Sequence, residues 1–227
     1  MSIAPSASRF EDTACDPPVR GFLHSPECPP RDCLVLTHGA GSNAQAPLLI
    51  ALATKFAEAG FTVLRCDLPY RQQRSFGPPR PGDAARDRDG LRNAVSALRN
   101  LVSGRVFLGG HSYGGRQSSM LAADDDKLVS GLLLTSYPLH PPARREQVRV
   151  QHFPNLSAPV VFVHGTRDPF ASIEELEAAR KLIPGRTKLL AVEGVGHDLG
   201  FSRKVAPSVA DLPKRVLEVF LDLIHSI

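Results

Sequence analysis

The chain has 227 residues, 42% of them hydrophobic and 22% charged, with a formal charge of +4 and a pI near 9.0. That length suits one domain with a sizeable core, and the composition is ordinary for a soluble globular protein. The charge is too mild to imply nucleic acid, no apolar run approaches the ~18 residues of a membrane-spanning helix, and Met1–Arg20 lacks the apolar block of a secretory leader.

In chain order, residues 1–17 read as a loose arm or an edge strand, Val19–His24 as a short strand and 25–32 as a turn cluster. Cys33–Thr37 is a compact apolar strand ending in His38-Gly39-Ala40-Gly41, and Gln45–Ala59 a helix stopped by Gly60. A buried-type strand, Phe61–Cys66, precedes a helix over Gly82–Val102 with Leu91, Val95, Leu98 and Val102 on one face. Strand 105–109 leads into a helix from Gly114 to Ala123; strands follow at Leu128–Thr135, Val160–His164 and Lys188–Val192, with helices at Ile173–Leu182 and Pro213–Ile224. Apolar strands alternating with amphipathic helices indicate a mostly parallel sheet covered on both faces, in a single α/β domain. The four cysteines, Cys15, Cys28, Cys33 and Cys66, form no C-x-x-C pair. Reduced thiols of a cytoplasmic protein are expected, with a Cys15–Cys28 bond the alternative.

The most informative stretch is Gly110-His111-Ser112-Tyr113-Gly114, a G-x-S-x-G between an apolar strand and a helix. A serine hydroxyl becomes a useful nucleophile when a sharp strand-to-helix turn aims it and a base stands beside it. Asp168 follows the strand Val160–His164, and His197 lies in a glycine-rich loop after Lys188–Val192. Alone, Asp168 would be a turn residue or a cap for the helix near Ser172, His197 a loop histidine, and His38-Gly39 a strand end. Together, each after its own strand and in the order Ser, Asp, His, they match the chain order of α/β-hydrolase triads.

The chain resembles the α/β-hydrolase superfamily over nearly all its length. More narrowly, it is similar to the small lidless branch related to dienelactone hydrolase, including testis-expressed α/β-hydrolase-like proteins and the hydrolase-like region of a histone-acetyltransferase complex subunit. Thr37–Ser42, Asp67-Leu68-Pro69-Tyr70, Gly110–Arg116 and Gly165–Phe170 carry the likeness. Serine stands at position 112, where dienelactone hydrolases use cysteine, which argues against a dienelactone substrate. The resemblance implies a serine esterase with Ser112 as nucleophile, His197 as base and Asp168 as its orienting acid. The backbone N–H groups of Ala40 and Tyr113 would form the oxyanion hole, and no cofactor is expected. No H-x-x-x-H or H-E-x-x-H spacing suggests a metal.

Arg71, Arg74, Arg80, Arg86, Arg88 and Arg92 crowd the segment after Tyr70, and Arg116 lies just past the nucleophile. They read either as contacts for a substrate carboxylate or phosphate or as a solvated basic surface. His38, Tyr70, Arg71, Arg74 and Arg116 are the candidate substrate contacts. Ser136–Pro159, where this superfamily commonly inserts a lid, is short and rich in proline. An open site acting on small esters is expected, without nucleic-acid or membrane partners. A non-catalytic binding or scaffold protein is the alternative.

Overall fold

The computed structural model describes residues 7–30, 32–202 and 205–225. Residues 1–6 of the expected arm lie outside these. Ala7–Asp12 (β1) is an edge strand, paired antiparallel with Val19–His24 (β2). The sheet continues with Asp32–Thr37 (β3), Phe61–Cys66 (β4), Val106–His111 (β5), Leu132–Thr135 (β6), Val160–Gly165 (β7) and Thr187–Val192 (β8). Its spatial order is β1-β2-β4-β3-β5-β6-β7-β8. Only β2 runs against the rest; β1, antiparallel to β2, points the same way as the parallel strands β3–β8.

Strand side chains alternate between the two faces. Cys33 and Val35 of β3 therefore pack with Asp83–Leu101 (α3), Tyr113–Asp124 (α4) and Ile173–Arg180 (α5). Leu34 and Leu36 pack on the other face with Pro47–Glu58 (α1) and Leu212–His225 (α6). On that second face Phe56, Phe61, Phe107 and Phe220 meet at ring centroid separations of 5.1 to 6.2 Å. Truncating one of these rings to alanine costs about 3–5 kcal/mol.

The structure differs from the expected elements at two places. Leu128 and Val129 are buried in the turn that feeds β6, apolar for packing rather than for strand pairing. Pro69–Gln73, where no element is expected, is a short helix (α2) with proline at its start, where the missing N–H costs nothing. All four cysteines are free thiols, so the alternative Cys15–Cys28 bond is not formed. The connection between β6 and β7 holds only the 3₁₀ turn Phe153–Asn155, so no cap domain covers the sheet. No helix among the described residues is long and apolar enough to cross a membrane.

β3 lies between β4 and β5, so the chain leaves β3 in one direction and returns on its other side. Ligands of open α/β sheets bind at such a reversal, beyond the carboxyl ends of the strands. The loops after β3 and β5 meet there.

Candidate active site

Ser112 occupies the turn between β5 and α4 with φ 51° and ψ −116°. A residue with a Cβ held there costs about 1–3 kcal/mol unless its surroundings over-determine it. They do: the Ser112 N–H donates to the Thr135 carbonyl oxygen at 2.9 Å, and its own carbonyl oxygen accepts from the Arg116 N–H at 2.9 Å. The flanking glycines let this turn close against the end of β3. A Cβ on Gly110 would lie 2.8 Å from the Thr37 oxygen, and one on Gly114 would lie 2.5 Å from the His38 oxygen.

His197, in the loop after β8, places Nε2 at 2.8 Å from Ser112 Oγ and Nδ1 at 2.8 Å from Asp168 Oδ2. With the ring proton on Nδ1 donated to Asp168, the Nε2 lone pair faces the serine hydroxyl. The Asp168 side chain is fully screened from solvent, and its Oδ1 accepts from the Phe170 N–H at 2.9 Å. Burial acts to raise the Asp168 carboxyl, but His197, the Phe170 N–H and His164 outweigh it and hold it below its ordinary range. The cap of α5 is Ser172, through a reciprocal bond with Glu175, so Asp168 is not the helix cap. The His197 ring packs on Phe170 and on His111, at centroid separations of 4.3 and 5.1 Å. Burial, then the neighbouring His197, lowers His111 to about 3, so His111 stays neutral beside the base.

Four of the expected substrate contacts are committed to the fold instead. His38 is wholly buried; its Nδ1–H donates to the Gly39 oxygen at 2.8 Å while Nε2 accepts from the Leu68 N–H at 3.1 Å. Tyr70, also buried, donates its hydroxyl to the Ala40 oxygen at 2.8 Å. The Arg71 guanidinium donates to the carbonyl oxygens of Ser42, Arg74, Ala40 and Gly77 at 2.7, 3.0, 3.2 and 2.8 Å. Arg74 pairs with Asp83 at 2.6 Å. Further along, Arg86 and Arg92 pair with Asp16 and Asp125. Arg71, Arg74, Arg86 and Arg92 are thus fastened to acids and carbonyls rather than left open to a substrate anion; Arg116 is half-buried and has no salt bridge among the described residues.

The same contacts shape the loop after β3. The Gly39 oxygen accepts from His38 Nδ1, from the Ser42 N–H at 3.1 Å and from the Tyr70 hydroxyl at 3.3 Å. A trans peptide points its N–H opposite to its C=O. The Ala40 N–H is therefore turned away from these three donors, in a loop so close to Ser112 that a Cβ on Gly39 would lie 3.4 Å from the serine Cβ. The Tyr113 N–H, first in α4, has no acceptor within the helix.

Asp87, on α3, had no distinguishing mark beyond being an acid among arginines. It is wholly buried; Oδ2 accepts from the Tyr113 hydroxyl at 2.7 Å and Oδ1 from the Tyr70 N–H at 3.1 Å. Burial raises its carboxyl, and those two hydrogen bonds oppose the rise. One carboxylate thus ties the residue after Ser112 to the helix whose tyrosine holds the Ala40 carbonyl.

Similar folds occur in solved structures. Est1E from Butyrivibrio proteoclasticus superposes with a TM-score of 0.73 at 15% identity, over 97% of this chain and 99% of that one. Dienelactone hydrolase from Anabaena variabilis gives 0.74 at 18% identity, over 98% of each chain. XC6422 from Xanthomonas campestris, described as an α/β serine hydrolase without a lid, gives 0.68 at 17% identity, over 96% of this chain and 94% of that one. At such identities the likeness establishes the fold, and the sequence itself adds the family: because residues 30–225 match the α/β hydrolase domain, the chain belongs to the α/β-hydrolase family, in its small lidless form.

Proposed function

We propose that this protein is a serine hydrolase of small carboxylic esters or thioesters. The observation that carries the reading is the unbroken line from Ser112 Oγ through His197 to a desolvated Asp168, with both links at 2.8 Å. In the proposed cycle Ser112 Oγ attacks the carbonyl carbon and passes its proton to His197 Nε2. Asp168 stabilises the imidazolium, and the N–H groups of Ala40 and Tyr113 receive the charge that builds on the carbonyl oxygen. Collapse breaks the bond to the alcohol or thiol, which leaves with the proton from His197. Water, activated by the same base, then hydrolyses the acyl-serine. The cycle closes on these groups without a cofactor.

The absence of a cap over the carboxyl ends of the strands favours short, accessible substrates over lipid chains. The test is labelling of purified protein by a fluorophosphonate probe. Labelling of the wild type that disappears in Ser112→Ala and collapses in His197→Ala supports the reading. Folded wild-type protein that resists the probe would overturn it and turn attention to a binding role for the same crevice.

A further inference from the structure

On the β6 side of Ser112 the rim is built differently from the β3 side. The loop after β6 opens with Ser136, which is wholly buried at φ 48° with a hydroxyl that has no hydrogen-bond partner. Arg116 lies one helical turn, about 6 Å, beyond Ser112. Its charge acts on the Tyr137 hydroxyl, and its Nε is buried without a hydrogen-bond partner. Arg149 converges on the same place: Tyr137 donates to its carbonyl oxygen at 2.7 Å, and its Nη1 donates to the Pro138 oxygen at 3.2 Å. His152 completes the group, with Nε2 at 2.8 Å from Ser119 Oγ on the next turn of α4.

Neither arginine has a salt-bridge partner among the described residues. Burial and then the Arg116 charge lower both Arg149 and His152, the latter to about 4, with Asp124 opposing the fall at His152. Two half-buried guanidinium groups with an unused donor are poorly compensated until an anion joins them. A guanidinium fork matches the geometry of a carboxylate or phosphate.

We propose that Arg116 and Arg149 form an anion subsite that selects esters bearing a carboxylate or phosphate a short chain away from the scissile carbonyl. This rests on the hydrolase reading and names its substrate class. The anion would accept from the open donors of both guanidinium groups while the carbonyl sits at Ser112, one turn away.

The test compares three 4-nitrophenyl esters of similar length: a hydrogen glutarate, its neutral methyl ester, and a 4-phosphooxybutanoate. Wild type should favour at least one anionic ester over the neutral one by about tenfold or more in kcat/KM, and the better of the two identifies the anion. Arg116→Gln and Arg149→Gln should each lower that ratio by about tenfold to a hundredfold, the range of a charge-assisted hydrogen bond, and Arg116→Lys should lower it less. A ratio near one in wild type, or a preference that survives both glutamine variants, overturns the subsite and leaves the hydrolase intact. Calorimetric titration of monomethyl glutarate and of inorganic phosphate into Ser112→Ala protein, with and without Arg116→Gln, reads the subsite without turnover. Binding that depends on Arg116 in a protein that hydrolyses none of the esters would keep the subsite and overturn the esterase; no Arg116-dependent binding there would overturn the subsite as well.

Discussion

On the β3 side of Ser112, the guanidinium of Arg71 is enclosed by four carbonyl oxygens, and buried Arg65 donates to His24 and to the Ala44 oxygen. On the β6 side, Arg116 keeps a buried nitrogen open and Arg149 makes a single long contact to Pro138. Both rims carry arginine beside Ser112, yet only one leaves a buried arginine donor without a partner. A closed rim holds backbone N–H groups in place; an open one has capacity for a ligand. Charge therefore says little about binding until each donor has been traced to its acceptor.

The comparison presupposes that the chemistry sits between the rims, and the largest expected effect tests that. Asp168→Asn removes the acceptor that fixes the His197 proton on Nδ1 and should cut ester turnover by roughly 10⁴-fold while leaving the fold intact, as wrong-tautomer triads do. Stopped-assay rates alongside thermal melting would check it; a drop below tenfold would place the reaction elsewhere. Next in size is Asp87→Asn. An amide at this position presents a donor to either Tyr113 or Tyr70, both of which already donate there. Misplacing Tyr113 by about 1 Å can cost on the order of 10²-fold, so kcat should fall by about tenfold to a hundredfold with KM little changed. If KM for an anionic ester rose instead, the closed rim would be recognising substrate, and the contrast between the rims would break.

How much of this was legible beforehand follows from the range of each signal. The strands and most helices show in the apolar periodicity of the chain, and Ser112, Asp168 and His197 show because each stands directly after a strand, with glycine around two of them. α2 is only five residues long, too short for any period. The arginines misled for a different reason: Arg71 meets its acceptors Ser42 and Ala40 about thirty positions upstream, and Arg149 sits in a polar run, Arg144–Arg149, where nothing marks it out. Asp87 lies among arginines in the sequence, and only its burial beneath two tyrosines reveals its role. Local pattern carries the fold and the candidate nucleophile; partner accounting needs the third dimension.

A smaller effect is expected where Arg71 is shortened. Arg71→Lys keeps the charge but has no planar fork to span four carbonyls. Leaving buried acceptors short of a donor costs about 1–3 kcal/mol. The melting temperature should drop, and kcat should fall by several-fold as the Ala40 peptide loosens. Denaturant unfolding and single-turnover kinetics on one preparation would show whether the two losses travel together. A loss of stability at unchanged kcat would separate the Arg71 cage from the proposed oxyanion-binding role of Ala40.

The least drastic probe of the closed rim is pH. His24 Nε2 accepts from Arg65 Nε at 2.8 Å, so this histidine must be neutral in the fold. Burial, then the Arg65 charge, lowers it to about 4, against about 6.5 in an unfolded chain. Below pH 6.5 the unfolded chain takes up a proton that the folded one refuses, so the contribution is complete above that pH and is lost as pH falls toward 4. At pH 5 the loss from His24 is at most about 2 kcal/mol. His111, lowered to about 3, and His152, lowered to about 4, act with the same sign. Urea midpoints at pH 7.5, 6 and 5 should therefore fall together with pH. His24→Gln, whose amide oxygen can still accept from Arg65, should flatten that slope by one histidine's share. An unchanged slope would mean that His24 is protonated in the fold already, in which case it could not accept from Arg65, and the Arg65 Nε–H would be an open arginine donor on the β3 rim.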